Sequence, residues 1–562
     1  MTTVVLRIYA SFFAHKHGAA KAPPIFGAGV FSADFISAVL RYGSMDKYCL
    51  TGTLPMHQRE ALSALCPSAH DRLEFIDHEN LDRLATVTDA VLAETGCLFL
   101  DSRILRRLFS PGRRWPVTGF IHSVQHHIIP MWFLQAILGD VAPWDALICS
   151  SNAGRTAINR YFEAVPQIYP ELKSLWPITN LQLPVIPLAT EPIDPNPPLR
   201  STTRRQLGIA DEQVMILYVG RFSPRWKCDL LPLLIAFDAM RPETKTVARL
   251  VLAGDDTTHH LTTALSAAAA GLGLGQSVTI IPDPTHAEKL GLYQAADIFV
   301  SPSDNLQETF GLVIIEAMAA GLPVLASDWN GYRELVVHSE TGFLIPTYWT
   351  NLGSSYDLLS MCNVPEHDGT DCGATVVDVD HMKCYMEMLV NNKARRETMG
   401  RNARQFFMAY FQWRVVICRY EALWCELQAC ARHGLADMID DRTRDLLALR
   451  GLFDHYPSFI LADDAVVIPG AAASSLHTLL SHSERMPIPK YGSTELAVAL
   501  LERAGATPLS IGELVRRVVS AGLGSELTVR LVLARLLKYA VLQPLARTEV
   551  FNRATNHRDG TQ

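Results

Sequence analysis

Ile298-Phe-Val-Ser301-Pro-Ser-Asp-Asn-Leu-Gln-Glu308-Thr-Phe-Gly311-Leu-Val-Ile-Ile-Glu316-Ala-Met-Ala-Ala-Gly321-Leu-Pro323 is the stretch whose reading decides the fold. Ile298-Phe-Val300 is a short apolar run that reads as a buried strand, and Gly311 to Ala320 carries good helix formers before stopping at Gly321-Leu-Pro323. The order is strand, polar loop, helix. In an open α/β sheet the loop after a strand's carboxyl end faces the ligand crevice, and the helix behind it aims unpaired backbone N–H groups at that crevice. A phosphorylated ligand suits such a place.

Two carboxylates sit in this unit, Glu308 just before the helix and Glu316 inside it, with seven residues between them. At about 1.5 Å rise per residue, Glu316 lies roughly 7–8 Å along the helix from Gly311, so the pair can grip two separated parts of one ligand. Two glutamates near a helix are usually solvated surface residues. Here the strand, Pro-Ser, Thr-Phe-Gly and Gly-Leu-Pro surround them, and the whole resembles the E(x7)E signature of family 4 glycosyltransferases, retaining enzymes of the GT-B fold. That resemblance implies that Glu316 holds a nucleotide ribose. It also implies that Glu308, with the amides of Thr309, Phe310, Gly311 and Leu312, holds the sugar hydroxyls of a nucleoside-diphosphate sugar.

Upstream, Val214-Met-Ile-Leu-Tyr-Val219 reads as another buried strand, and Arg221-Phe-Ser-Pro-Arg-Trp-Lys227 connects it to a helix expected over Asp229 to Met240. Arg221 and Lys227 thus fall at the carboxyl end of the same sheet. The resemblance to the family's Gly-Arg…Lys element assigns both to the donor's diphosphate. Two cations there would neutralise charge growing on a leaving nucleotide, so no metal and no other cofactor is expected. Leu250 to Ala253, Val278 to Ile281 and Val324 to Ser327 supply further parallel-strand candidates, and nothing in Pro282-Asp-Pro-Thr285 identifies a base.

Before this half, residues 1–190 read as a first α/β domain. Val4 to Tyr9 is a candidate strand, then come Gly27-Ala-Gly29 and an amphipathic helix, Phe31 to Tyr42, in a phosphate-loop-like order. The resemblance implies that Gly27 and Gly29 lie beside donor phosphate and acceptor. Val117 to Ile121 is another strand, and His122 directly after it matches the position of a family histidine that contacts the transferred sugar. Ser150 and Ser151 follow the strand Ala146 to Cys149 and are candidates for the cleft wall or for a helix cap. The proline-rich run Pro184 to Pro198 resists helix and sheet, as a hinge between domains should.

Strands alternating with helices in both halves imply two facing Rossmann-like domains, 1–190 and 191–410, with 411–430 as a helix crossing back to the first. Residues 431–562 are extra. Around 490–550 they read as three short helices and a terminal strand, a mostly helical unit resembling a winged helix. From Tyr491 onward nine Lys and Arg stand against six Asp and Glu. DNA binding through Arg530, Arg535 and Lys538 is one reading. Protein or peptide docking is favoured, because that third helix is rich in Leu and Val.

Composition sets limits. A formal net charge of -7 argues against nucleic acid or an anionic membrane as the general partner. No run approaches the about 20 apolar residues that span a bilayer. The 11 cysteines are odd in number and never form a CxxC pair, which favours a reduced, cytoplasmic protein and leaves a peripheral membrane location open. Cys425 and Cys430, spaced as on a helix, are expected to be buried, and Asp378 to begin a helix rather than bind metal.

The expected activity is retaining transfer of a sugar from a nucleoside diphosphate to an acceptor, which could be a glycan, a lipid, a natural product or a peptide. The alternatives are an inactive nucleotide-sugar-binding protein and a sugar-sensing regulator with a DNA-binding winged helix.

Overall fold

Apolar runs such as Val214–Val219 and Ile298–Ser301 satisfy both their faces only inside a sheet covered by helices. The computed structural model places them so. It describes residues 3–7, 27–94, 115–121, 124, 142–168, 170, 181–306, 308–349, 375–433, 461–483 and 492–545, apart from 53, 67–68, 78–79, 81–82, 85–86, 88 and 225. His122 lies outside them, as does the stretch 434–460.

The first sheet contains β1 (Thr3–Arg7), β2 (Lys47–Thr51), β3 (Leu73–Ile76), β4 (Ala90–Ala93), β5 (Val117–Ile121) and β6 (Ala146–Cys149). Their order is β3-β2-β1-β4-β5-β6, and every pairing is parallel. The second contains β7 (Val214–Val219), β8 (Ala248–Gly254), β9 (Val278–Pro282), β10 (Ile298–Ser301), β11 (Val324–Ser327) and β12 (Gly342–Ile345). Its order, β12-β11-β10-β7-β8-β9, repeats that of the first sheet. Each half is therefore doubly wound. In the second half the order reverses between β7 and β10, so the loops leaving these two strands open onto one crevice.

Two local expectations change. The helix expected from Phe31 begins at Gly27, so Gly27 and Gly29 lie in its first turn and not in a loop ahead of it. Pro197 and Pro198 also lie in a helix, Pro197–Gln206, whose first turn needs no proline N–H and whose Asn196 side chain accepts from Leu199 N at 3.1 Å. The extended hinge thus ends before them. Thr190 N donates to Phe411 O at 3.1 Å, so the outgoing and returning crossings between domains lie side by side.

After β13 (Thr347–Trp349) and β14 (Thr375–Val377), the helices Val379–Asn391 and Lys393–Tyr410 complete the second domain. Asp378 caps the first of these, accepting from His381 N. The helix Trp413–His433 then packs into the first domain. The Phe31–Trp413 and Phe35–Tyr420 ring centroids are 5.8 and 4.9 Å apart, and the Trp424 indole donates to Thr118 Oγ1 at 3.3 Å. From the same face Glu421 accepts from Ser44 N at 2.6 Å, Ser44 Oγ at 2.7 Å and the Tyr48 hydroxyl at 3.0 Å. Burial and then the Glu421 carboxylate push the Tyr48 phenol above its ordinary pKa. Cys425 and Cys430 are exposed, contrary to expectation, because Trp413, Val416, Tyr420, Leu423, Trp424 and Leu427 occupy the inward face.

A third unit spans 461–545. β15 (Val466–Pro469) is the centre of an antiparallel sheet ordered β16-β15-β17, with β16 (Leu509–Ser510) and β17 (Leu542–Pro544) at its edges. The helices Thr494–Ala506, Ile511–Ser520 and Glu526–Lys538 bury Leu500, Leu514, Val518, Val532 and Leu536 against it. Ser493, Ser510 and Ser525 cap the three helices. No helix among the described residues is long and apolar enough to cross a membrane.

Candidate active site

The loops after β7 and β10 carry the chemistry. Lys227, in the first, forms an ion pair with Glu308, in the second, and their side chains are only 11% and 17% exposed. Lys227 Nζ also donates to the Tyr332 hydroxyl at 3.2 Å, and that hydroxyl lies 3.0 Å from Ser301 Oγ at the end of β10. Burial disfavours the Lys227 ammonium, but the Glu308 charge and Tyr332 outweigh it, leaving the lysine pKa above its ordinary value. The cation is permanent at neutral pH. Arg221 lies in the same field: burial lowers its pKa, while Asp255 and Glu308 oppose that shift.

The backbone between Ser301 and Gly311 is fixed from several sides. Ser303 Oγ donates to Lys227 O at 3.2 Å, Asp229 N to Asp304 Oδ2 at 3.1 Å, and the Trp329 indole to Asn305 O at 3.0 Å. Gly311 has φ +108° just before the helix Leu312–Ala319, and a Cβ there would stand 2.4 Å from the Tyr332 ring. Glycine is required by both conformation and space. The Phe310 ring is buried against Phe411, with centroids 6.1 Å apart, so this side chain anchors the loop. Leu312 is likewise packed on the core.

Glu316 projects from the helix Leu312–Ala319. Its two oxygens accept from Lys289 Nζ at 2.7 Å and from the Tyr293 hydroxyl at 2.8 Å. Both partners belong to the helix His286–Ala295, which a Thr285–Glu288 capping box starts. Burial first, then Glu316, raise the Tyr293 pKa well above its usual value, so the phenol stays a donor.

From the first domain, Ser151 Oγ donates to Thr309 O at 2.7 Å and accepts from Gly154 N at 3.0 Å. The serine is both a cap and a cleft residue. Ser150 Oγ stands 3.5 Å from Thr309 Oγ1.

The structure therefore brings Glu308, Lys227, Arg221 and Thr309 to one edge of the second sheet, with Glu316 farther along the same helix. Gly27 and Gly29 lie in the other domain, in the first turn of the helix Gly27–Tyr42. Sequence reasoning missed Tyr332, Ser301, Lys289 and Tyr293. The last two carried a signal, since a spacing of four on a capped helix puts both side chains on one face.

Two parallel domains of the same winding, facing each other across a crevice that holds these groups, define a GT-B architecture. Solved structures agree. The Anabaena protein HepE in complex with UDP superposes with TM-score 0.51 at 18% identity, covering 76% of this chain and 100% of that one. A glycosyltransferase from Rickettsia africae superposes with TM-score 0.52 at 15% identity, covering 76% and 98%. At such identities the likeness shows the fold alone.

Within the chain, residues 200–360 match the family described as glycosyl transferases group 1. The D-inositol 3-phosphate glycosyltransferase of Geodermatophilus obscurus is 38% identical over 152 residues, 26% of this chain and 33% of the relative. That of Nocardia farcinica is 32% identical over 177 residues, 31% of this chain and 39% of the relative. The chain thus spans well under half the length of these curated relatives.

Proposed function

We propose that this chain is a glycosyltransferase that moves a sugar from a nucleoside diphosphate to an acceptor with retention of anomeric configuration. The observation that carries the reading is the buried Lys227–Glu308 pair at the point where the second sheet reverses its winding. It lies inside the stretch that matches glycosyl transferases group 1.

In this scheme Glu316 holds the nucleotide ribose, and Glu308 with the Thr309–Leu312 amides holds the sugar. The bond between the sugar's anomeric carbon and the diphosphate oxygen breaks, and its electron pair goes to that oxygen. Lys227 and Arg221 stabilise the charge that develops there. The acceptor hydroxyl forms the new bond on the face the diphosphate leaves, and its proton passes to the departing phosphate. The two cations fill the role a metal has in other transferases. Loss of turnover on adding a chelator, restored by a divalent ion, would contradict this part.

The unit at 461–545 is assigned to protein or peptide docking. Arg530, the first candidate DNA contact, is held by Asp463 at 2.8 Å through each terminal nitrogen and by Glu526 at 2.8 Å. A guanidinium bracketed by two carboxylates suits a phosphate or a base edge poorly. A cytoplasmic location is proposed on the buried free thiols of Cys49, Cys66, Cys149 and Cys228.

The test is thermal unfolding with UDP, GDP, ADP and TDP, for wild type, Glu316→Ala and Lys227→Ala. A ligand at a hundred times its Kd adds about 2.7 kcal/mol to the folded state. A rise in Tm with one nucleotide, lost in both variants, is expected. No rise with any of the four would overturn the reading.

A further inference from the structure

The short helix Tyr332–Leu335 stands between the two domains. At one end, the Tyr332 hydroxyl touches Lys227, Ser301 and Glu308, at 3.2, 3.0 and 3.4 Å. Two residues on, Glu334 reaches across to the first domain. Its Oε2 accepts from Asn152 N at 2.9 Å and Asn152 Nδ2 at 2.8 Å, and its Oε1 from Ala153 N at 2.9 Å. Asn152 and Ala153 open the helix Asn152–Ile168 of the first domain, whose first N–H groups have no partner within the helix. A carboxylate from one domain thus caps a helix of the other, and the helix dipole strengthens the contact.

The backbone fits this arrangement closely. Gly331, just before the short helix, is pressed against the Thr309 carbonyl, and a Cβ there would stand 2.1 Å from that oxygen. The same carbonyl receives the Ser151 hydroxyl from the first domain. Thr309, the segment assigned to the sugar, is therefore gripped by Gly331 on its own side and by Ser151 from across the cleft.

We propose that Glu334 is the closure latch of this protein, a positioning residue whose carboxylate holds the domains in the arrangement in which Ser151 meets Thr309. Because Glu334 and Tyr332 share one rigid turn, seating the latch sets Tyr332 against Lys227 and Glu308. Closure and assembly of the site are then one event. The catalytic half of this statement rests on the transferase reading; the latch itself does not.

The experiment compares the full chain with Glu334→Gln, close in shape to the wild type. Hydrogen exchange without ligand reads the latch directly. In Glu334→Gln the amides of Asn152 and Ala153 should exchange about tenfold faster, the scale of one charge-assisted hydrogen bond, while β7 remains unchanged as the internal control. Small-angle scattering should show a larger radius of gyration for the same variant. With UDP-glucose as probe, release of UDP into water should fall about tenfold in kcat with KM changed less than about twofold.

Unchanged exchange at Asn152 and Ala153 would overturn the latch. Faster exchange with unaltered kcat would overturn its coupling to the site. Absence of any UDP release from wild type strikes at the transferase reading with this donor, while the exchange and scattering results still decide the latch.

Discussion

Lys289 Nζ stands 2.7 Å from Glu316 Oε1, so the carboxylate assigned to the ribose is already oriented by the neighbouring helix. Tyr293 takes the other oxygen at 2.8 Å. Lys289→Ala releases one side of that grip. The expected result is UDP binding about 10- to 100-fold weaker by calorimetry, the scale of a lost charge-assisted hydrogen bond, with kcat at saturating donor nearly unchanged. Equal affinity would mean that Lys289 does not set Glu316.

Glu308→Ala removes the partner of a buried ammonium. Breaking such a pair costs about 3–5 kcal/mol, so Tm should drop sharply. The double variant Lys227→Met/Glu308→Gln leaves neither member of the pair charged and should regain most of that stability. Its turnover should still be down about 10²–10³-fold, the scale of a lost oxyanion donor. A double variant as unstable as the single one would show that the pair is not the cause.

The folded pKa of Lys227 lies above its ordinary 10.5. Its contribution to stability is therefore fully present below that value, and is lost only as pH rises through the higher folded pKa. The difference in Tm between wild type and the double variant should be flat from about pH 6 to about pH 9. A slope there, measured by scanning calorimetry, would assign a titrating partner to the site.

Gly311→Ala places a side chain at φ +108° and against the Tyr332 ring. A strained backbone of this type costs about 1–3 kcal/mol, and the displaced tyrosine should lower kcat as well. Wild-type melting for this variant would mean that the loop takes another conformation.

Trp424→Ala should destabilise the first domain by about 3–5 kcal/mol, although the residue follows the whole of the second. Exchange protection over Phe31 to Leu40 should fall with it. Loss confined to the second domain would contradict the packing of the helix Trp413–His433.

The sequence made the two doubly wound domains legible because each buried strand is a short apolar run ending in turn residues, as at Val219-Gly220 and Val300-Ser301-Pro302. Glu308, Glu316 and Lys227 were singled out as candidates because the segments around them resemble family motifs; their place after a strand or on a helix alone would have read as solvated surface. Tyr332, Ser301 and Glu334 were not, because their contacts join loops or domains far apart in the chain and no periodicity encodes them. Gly27 was misplaced for the opposite reason. Glycine is a helix breaker by propensity, yet packing of Phe31 and Phe35 on Phe120 and Trp413 holds a helix that begins there. The prolines at 197 and 198 were misjudged similarly, since at a helix's first turn proline is favoured.

The helix Trp413–His433 also fixes an order of events at the ribosome. The first domain emerges from synthesis with the site for Trp413, Tyr420 and Trp424 unfilled beside Phe31, Phe35 and Phe120. At about 5–20 residues per second, roughly 10–50 s pass between the end of that domain and the arrival of the helix that completes it. The second domain, whose strands and covering helices all precede that helix, is finished sooner. The half made first is thus the half completed last, and for that interval its aromatic groove is open to whatever the nascent chain meets.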